Sequence, residues 1–195
     1  MTLRNTPTDI DIHPLLAGRW SPRAYSDQAV AHSQVLSLLE AARWAPSAYN
    51  AQPWRFVVFE KAVDLDAFNR AFATLIPFNQ SWNTNAQVLF AVLTDTQTAK
   101  GTLNATAGYD AGAAAMALLL EAHARGLAAH AMSGIDAAAF RDAFAIPARY
   151  EVLTMISVAH HGDPQSLPTP LNEREMAPRV RLSVNEFAHF GAWRE

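Results

Sequence analysis

The spacing of apolar residues predicts both helices and strands along this chain. Apolar residues recur at helical spacing between Val35 and Ala42, which predicts an amphipathic helix that ends near Arg43. Aromatic and β-branched runs predict strands. The predicted helices are 35–43, 62–73, 106–125 and 137–144, with a short one from Pro14, and the predicted strands are 54–60, 88–93, 127–132 and 151–159. This pattern favours an α+β fold with a mixed β-sheet flanked by helices.

The predicted helix 106–125 is apolar almost all round, so it should be buried, and Gly126 is placed to cap it. Its small residues permit another helix to approach its backbone closely; they are Gly108, Ala111, Gly112 and Ala115. This pattern fits a central helix of a single chain and an interface helix of a dimer equally well.

A short polar loop separates the first long helix from the first strand. Pro46 moves the preceding residue out of the helical region, and Pro53 precedes the strand that begins at Trp54. The loop residues Ser47, Asn50 and Gln52 present hydroxyl and amide groups that suit a planar polar ligand. The alternative is a turn whose side chains only satisfy its own backbone.

Composition excludes several classes of function. With 195 residues, 50% of them hydrophobic, the chain can bury the core of one domain spanning 1–195. A net charge of −3 without a basic stripe argues against nucleic acid, and no apolar run is long enough for a membrane span. We therefore expect a cytoplasmic protein, with a polar arm up to Ile12.

The chain contains no cysteine, so disulfides and thiolate chemistry are excluded. The seven histidines are scattered, and the adjacent His160 and His161 should point to opposite faces of a strand, so we expect no metal site. Any redox chemistry must then come from a bound cofactor. No GxGxxG motif follows a strand, which disfavours a Rossmann dinucleotide site.

Two arginine-bearing segments suit a phosphate group. Arg19, Ser21 and Arg23 form an RxSxR motif that offers charge-assisted donors within a few residues. Near the C-terminus, Arg179 and Arg181 lie on the same side if the segment is extended. The alternatives are a solvated turn and a basic tail patch.

These separated motifs resemble, in their order, the nitroreductase family of FMN-dependent NAD(P)H oxidoreductases. The matching segments are RxSxR at 19–23, APSxxNxQPW at 45–54, Phe78-Asn79 followed by Trp82, the run 146–159, and the C-terminal stretch 174–183. The resemblance covers nearly the whole chain. It implies a homodimer with an exchanged C-terminal arm, and the stretch from Glu186 to Trp193 would form that arm.

The resemblance also implies roles for individual residues. Arg19, Trp20 and Ser21 belong to the motif that binds the FMN phosphate and ribityl end, and Arg23 would reach the pyrimidine edge of the flavin. The remaining cofactor-binding residues would be Pro46, Ser47, Asn50 and Gln52 from the partner subunit, Asn79, Ser133 and Gly134 near the ring and its N5 atom, and Arg179 and Arg181 with Arg19 around the phosphate. No side chain is assigned a catalytic acid or base role.

The implied activity is hydride transfer from NADH or NADPH through flavin N5 to a nitroaromatic, a quinone or a related small aromatic acceptor, by a ping-pong mechanism. Three alternatives remain: a reductive dehalogenase, for which the possible lid 61–82 is short; a non-catalytic flavin-binding protein; and a dimeric interaction module without a cofactor. The sequence departs from the family at Ala159-His160, where the family usually has glycine, and Gly162 follows later. Either the end of the last core strand is shaped differently or the turn that follows it has shifted.

Overall fold

A computed structural model describes Thr6 and residues 8–193 of the chain. Part of the predicted polar arm, residues 1–5 and 7, lies outside the described residues, whereas residues 8–14 of the described part are exposed. Within the described ranges, no helix is long and apolar enough to cross a bilayer.

Four strands form one sheet in the order β1-β2-β4-β3. They are β1 Trp54–Glu60, β2 Val88–Asp95, β3 Leu127–Met132 and β4 Tyr150–His160. Each neighbouring pair is antiparallel. The α+β class is confirmed, but the expectation of a mixed sheet is corrected for the described strands. Strand direction depends on how the chain returns between strands, which side-chain patterns do not specify.

The described part of the chain contains eight α-helices. They are α1 Pro14–Gly18, α2 His32–Arg43, α3 Leu65–Ala73, α4 Pro77–Trp82, α5 Ala107–Ala124, α6 Ala137–Ala143, α7 Leu171–Met176 and α8 Val184–Phe187. The predicted helix boundaries hold to within three residues for α2, α3, α5 and α6. Helix α4 was not predicted; it begins at Pro77, whose fixed φ angle suits the first turn of a helix.

Two apolar cores lie on opposite faces of the sheet. Side chains alternate along β2, so Leu89 packs in the core with α3, α4, α6 and α7, and Phe90 packs in the core with α2 and α5. Both residues are fully buried. The strand is covered on both faces, which is why β2 is apolar without the alternation of a half-exposed strand.

Within the single described chain, helix α5 is buried on one side only. Ala114 and Leu118 face the core, but Tyr109 is 84% exposed. The two helix glycines, Gly108 and Gly112, have open space where a side chain would stand. Gly126 has φ +74° directly after the helix, which confirms the predicted cap.

The end of β4 shows how the chain departs from the family pattern. The strand continues through His160, whose carbonyl accepts a hydrogen bond from the Ser26 N–H. Gly162 then donates to the Ala24 carbonyl at 2.8 Å. A Cβ at Gly162 would lie 2.5 Å from the Tyr25 carbonyl, so the glycine position has shifted to the point of closest backbone approach.

Candidate functional site

The segment Arg19–Arg23 follows α1 and is fixed by the C-terminal part of the chain. The guanidinium of Arg179 donates to the carbonyl oxygens of Ala17 at 2.9 Å and of Arg19 at 2.7 Å. Two of the predicted phosphate-binding arginines therefore meet, although about 160 residues separate them in sequence. The guanidinium of Arg179 closes the carbonyl end of α1, where cations are favourable.

Arg181 also lies near Arg19. Burial and then the positive charge of Arg181 lower the pKa of Arg19 from its ordinary value. Neither arginine takes part in an ion pair between described residues. Like charges held together in this way are unfavourable alone, and a bound anion would relieve them.

Two histidines adjoin this cationic group. His123 of α5 packs its ring against Gly18, where a Cβ would lie 2.8 Å from Nε2. Burial lowers the pKa of His123, and the charges of Arg19 and Arg179 lower it further. His161 stacks on Trp20 with ring centroids 6.4 Å apart, and its buried Nε2 has no hydrogen-bond partner among the described residues. His161 is thus half-buried against the motif.

A carboxylate and an indole ring both lie close to Arg23. Glu175 Oε1 accepts hydrogen bonds from the backbone N–H groups of Arg23 at 2.8 Å and Ala24 at 3.0 Å. The guanidinium lies 4.0 Å from Glu175 Oε2 and 5.7 Å from the centroid of Trp82. The Arg23 side chain is 26% exposed, so part of its charge faces outward.

His130 of β3 fixes the middle of the motif. Its Nδ1 lies 3.1 Å from the Pro22 carbonyl oxygen, and its ring packs on Trp82 with centroids 4.7 Å apart. Burial, followed by the charge of Arg23, lowers its pKa to about 4. The imidazole is therefore neutral at pH 7, and the tautomer with a proton on Nδ1 can donate to Pro22. The backbone of Ser21 also contacts this ring.

The polar loop between α2 and β1 contains three non-glycine residues with left-handed backbone angles. Tyr49, Asn50 and Gln52 have φ values of 53°, 55° and 46°. Such angles are unfavourable for residues with side chains and cluster at functional sites. Ser47 Oγ accepts from the Gln52 N–H at 3.0 Å, and the Gln52 amide donates to the Asn50 carbonyl at 3.1 Å.

The hydrogen bonds of this loop support the interpretation of a self-satisfying turn, whereas its binding of a planar ligand stays a prediction. The side chains of Ser47 and Gln52 satisfy backbone groups of the loop itself, as a self-satisfying turn requires. Pro46 and Asn50 are nevertheless exposed. The Asn50 side chain makes no hydrogen bond to the other described residues.

Asp110 anchors the loop to the start of α5. Its carboxylate is buried and accepts from the Ala48 N–H at 3.1 Å and from the Thr106 hydroxyl at 3.2 Å. A carboxylate near the first turn of a helix is also favoured by the helix dipole. The strained loop is thus held at its base by a buried charge.

The predicted ring-contacting residues of α4 and the turn after β3 lie side by side. The Asn79 amide donates to the Gly134 carbonyl at 2.9 Å. A Cβ at Gly134 would lie 2.5 Å from Asn79 Nδ2, so a side chain at this position would displace the Asn79 amide. Ser133 is exposed beside it. Trp82, at the end of α4, connects this pair to Arg23.

The described chain brings together the Arg19–Arg23 segment, the C-terminal arginines and the Asn79–Gly134 pair, but not the polar loop. The loop is attached at Asp110 and the cationic group at His123, which are thirteen positions apart on one helix. At 1.5 Å per residue, these attachment points are about 20 Å apart. One chain alone therefore does not place Asn50 beside Arg19.

Sequence reasoning did not single out Glu175, Asp110, His123 or His130 as site residues. Asp110 and His130 each interrupt an otherwise apolar segment, and that interruption is a usable signal. Glu175 carries no such signal, because the surrounding α7 sequence is polar and its burial depends on a distant segment.

Comparisons with known proteins bear on the family and the fold of this chain. The model of the nitroreductase family matches residues 16–160. A curated relative, an uncharacterised 15.4 kDa protein of Mycolicibacterium smegmatis, is 32% identical over 148 residues, which are 71% of this chain and 97% of that protein.

Two solved structures are similar over most of their length. An oxidoreductase containing FMN has a TM-score of 0.92 at 34% identity and covers 100% of this chain and 98% of its own. A candidate nitroreductase in complex with FMN from Desulfovibrio desulfuricans has a TM-score of 0.67 at 31% identity, with 88% of this chain and 100% of its own covered. Since the family model matches well over half of its residues, this chain belongs to the nitroreductase family.

Proposed function

We propose that this protein is an FMN-dependent oxidoreductase that takes electrons from NADH or NADPH and passes them to a nitroaromatic, a quinone or a related small aromatic acceptor. The observation that carries the proposal is the convergence of Arg19, Arg179 and Arg181 beside the RxSxR motif. Two similar proteins, at 34% and 31% identity, contain FMN.

The residues present fit the phosphate of FMN. Arg19 and Arg181 lie close together without an ion-pair partner among the described residues, and a phosphate monoester carries a charge near −2. Ser21 supplies a hydroxyl in the same segment. The donors are guanidinium groups, which bind phosphate oxygens with two parallel hydrogen bonds.

When bound, FMN supplies hydride acceptance at its N5 atom and two-electron transfer to a second substrate. The protein's contribution is binding and electrostatics. Arg23 presents a partly exposed cation that favours negative charge at the pyrimidine edge of the ring. The Ser133–Gly134 turn, which Asn79 holds by a hydrogen bond to the Gly134 carbonyl, would contribute to binding the ring. No side chain is assigned proton transfer.

One pocket would serve both substrates in turn, which is a ping-pong scheme. The stretch 61–82, the possible lid of a dehalogenase, forms α3 and α4, with Phe68 and Trp82 buried in the core. That packing favours an acceptor site without a mobile lid. Reduced nicotinamides are cytoplasmic electron donors, so we also place the protein in the cytoplasm.

We further propose a homodimer whose sites lie between subunits, formed by a single domain spanning residues 1–195. The polar loop lies about 20 Å from the cationic group within one chain. Large apolar side chains stand exposed around that loop and along the C-terminal arm: Trp44, Tyr49, Tyr109, Phe187, Phe190 and Trp193. A groove of about 650 Å³ between α2 and α5 adjoins Trp44. A partner subunit would cover these surfaces and bring its loop to the flavin.

An anaerobic absorbance titration tests the function. Purified protein should carry a flavin spectrum or acquire one with added FMN, bleach with NADH or NADPH, and recover its colour with a nitro compound or a quinone. Protein that stays colourless after FMN is added and the excess removed would refute cofactor binding. Flavin that binds but does not bleach would identify a non-catalytic flavin-binding protein instead.

The phosphate site has its own test. Replacing Arg19 or Arg181 by Ala removes charge-assisted hydrogen bonds worth about 1.5–3 kcal/mol each, so FMN should bind roughly 10- to 100-fold more weakly. Fluorescence titration of FMN measures this change. Lys100→Ala, which removes an exposed cation elsewhere, is the matched control and should leave the affinity unchanged. Unaltered affinity in both arginine variants would contradict the placement.

A further inference from the structure

Glu175 is a carboxylate buried to 1% exposure in a helix that otherwise faces solvent on most sides. Burying a charged carboxylate is costly unless partners replace its water. Those partners come from the RxSxR segment, about 150 residues away in the sequence. The energetic cost of burying this carboxylate indicates that it helps to hold the RxSxR segment in position.

The two carboxylate oxygens of Glu175 make different contacts. Oε1 accepts from the backbone N–H groups of Arg23 at 2.8 Å and Ala24 at 3.0 Å, which fixes the backbone direction at the end of the motif. Oε2 lies 4.0 Å from a terminal nitrogen of the Arg23 guanidinium. The Glu175 side chain therefore holds both the backbone of Arg23 and its guanidinium group.

Trp82 also lies against the Arg23 guanidinium, whose central carbon is 5.7 Å from the centroid of the indole ring. His130, the imidazole packed on that indole, has its pKa lowered by burial and by Arg23, and is neutral at pH 7. Glu175 thus supplies the negative charge in contact with Arg23 among the ion pairs of the described residues. Its charge offsets part of the field that Arg23 presents at the site.

We propose that Glu175 is a positioning residue for Arg23 that sets how much more tightly the site binds reduced than oxidised flavin. The proposal rests on the proposed function, because it takes Arg23 to face the pyrimidine edge of FMN. A full charge within a few ångströms shifts a neighbouring charge equilibrium by about one to three powers of ten. The carboxylate therefore limits the preference of Arg23 for the reduced, more negative cofactor.

Glu175→Gln separates charge from shape. The amide keeps an oxygen that accepts from the two backbone N–H groups, but it no longer offsets the guanidinium charge. The ratio of affinities for reduced and oxidised FMN should rise about tenfold, which raises the two-electron midpoint potential of bound FMN by about 30 mV. FMN should remain bound. Glu173→Gln, an exposed change on the same helix, is the control and should leave the potential unchanged.

A double-mutant cycle shows whether Glu175 acts through Arg23. The measured quantity is the midpoint potential of bound FMN in Arg23→Gln and in Arg23→Gln combined with Glu175→Gln. Removing both charges together leaves no unpaired buried ion, so the double variant should fold. The charge of Glu175 acts on the flavin directly in both backgrounds, so we expect Glu175→Gln to raise the potential by more when Arg23 is present, and this excess measures the action through Arg23. An equal shift in both backgrounds would overturn the proposal.

The other possible results distinguish failure of the role of Glu175 from failure of the proposed function. A Glu175→Gln protein that binds FMN with the wild-type potential refutes the role of Glu175 and leaves the proposed function intact. Loss of fold in Glu175→Gln, with Glu173→Gln folded, would make the carboxylate purely structural and overturn the proposal. A wild-type protein that never holds FMN would refute the proposed function itself.

Discussion

Gly162 leaves no room for a side chain because the backbone of Tyr25 passes directly over it. An added Cβ would lie 2.5 Å from the Tyr25 carbonyl carbon and oxygen, and backbone atoms cannot move aside easily. We expect Gly162→Ala to lower the free energy of unfolding by about 1–3 kcal/mol, measured by urea denaturation. Gly18→Ala is the contrast, because its neighbour is the His123 ring, which can rotate. Equal losses in both variants would contradict this explanation.

His130 should make the protein sensitive to acid. Burial and the charge of Arg23 lower its pKa from 6.5 to about 4 in the folded state. Between pH 6.5 and 4 the unfolded chain binds a proton that the native protein does not, so stability falls as the pH falls. The free energy of unfolding should lose up to about 3 kcal/mol over this range.

His130→Gln removes this titration, so the fall in stability between pH 6.5 and 4 should be smaller in the variant. Urea denaturation at several pH values measures both slopes. Parallel slopes in wild type and His130→Gln would show that another group carries the acid sensitivity.

At the level of elements, the spacing of apolar residues predicted the bounds of those helices and strands that depend on local sequence. The bounds of β1 and β3 match the predicted strands, and α5 differs by one residue at each end. Helix α4 escaped prediction because six residues are too few to show a helical period. The strand directions also escaped it, since pairing is decided by contacts between distant segments.

The same division applies to the candidate site. Motif order placed the arginines of 19–23 and 179–181 together, and the structure brings them together. Two buried carboxylates, Glu175 beneath Arg23 and Asp110 beneath the polar loop, were not found because burial depends on the whole fold. Local sequence shows which groups can bind a ligand, whereas tertiary packing decides what holds those groups in place.

Asp110 should control the conformation of the polar loop. Left-handed angles at Tyr49, Asn50 and Gln52 cost of order 1 kcal/mol each, and the carboxylate holds the loop at the Ala48 N–H. Asp110→Ala should increase hydrogen exchange of the loop amides and weaken FMN binding about tenfold, with the fold retained. Asp66→Ala, in the exposed first turn of α3, is the control for both readouts. Unchanged exchange and affinity in Asp110→Ala would remove the anchoring role.

At the scale of the whole molecule, the position of the loop determines how many chains make one site. The polar loop and the cationic group attach to opposite ends of α5, about 20 Å apart. Exposed Gly108 and Gly112 on the same helix leave room for a second helix to pack closely. Both features favour a site completed by a partner subunit over a site within one chain.

Mixed dimers test this directly. An Arg19→Ala chain damages the cationic side of a site, and a chain carrying Ser47→Ala and Asn50→Ala damages the loop side, so each homodimer should bind FMN weakly. If each site takes its loop from the partner, a mixed dimer has one intact site and one doubly damaged site. Differently tagged chains, co-expressed and purified through both tags, should then bind about one FMN per dimer with wild-type affinity. Mixing Arg19→Ala with Arg181→Ala is the matched control, because both residues lie on the cationic side of one chain. That mixture should bind no FMN with wild-type affinity. If the first mixture also lacks high-affinity binding, the whole site lies within a single subunit.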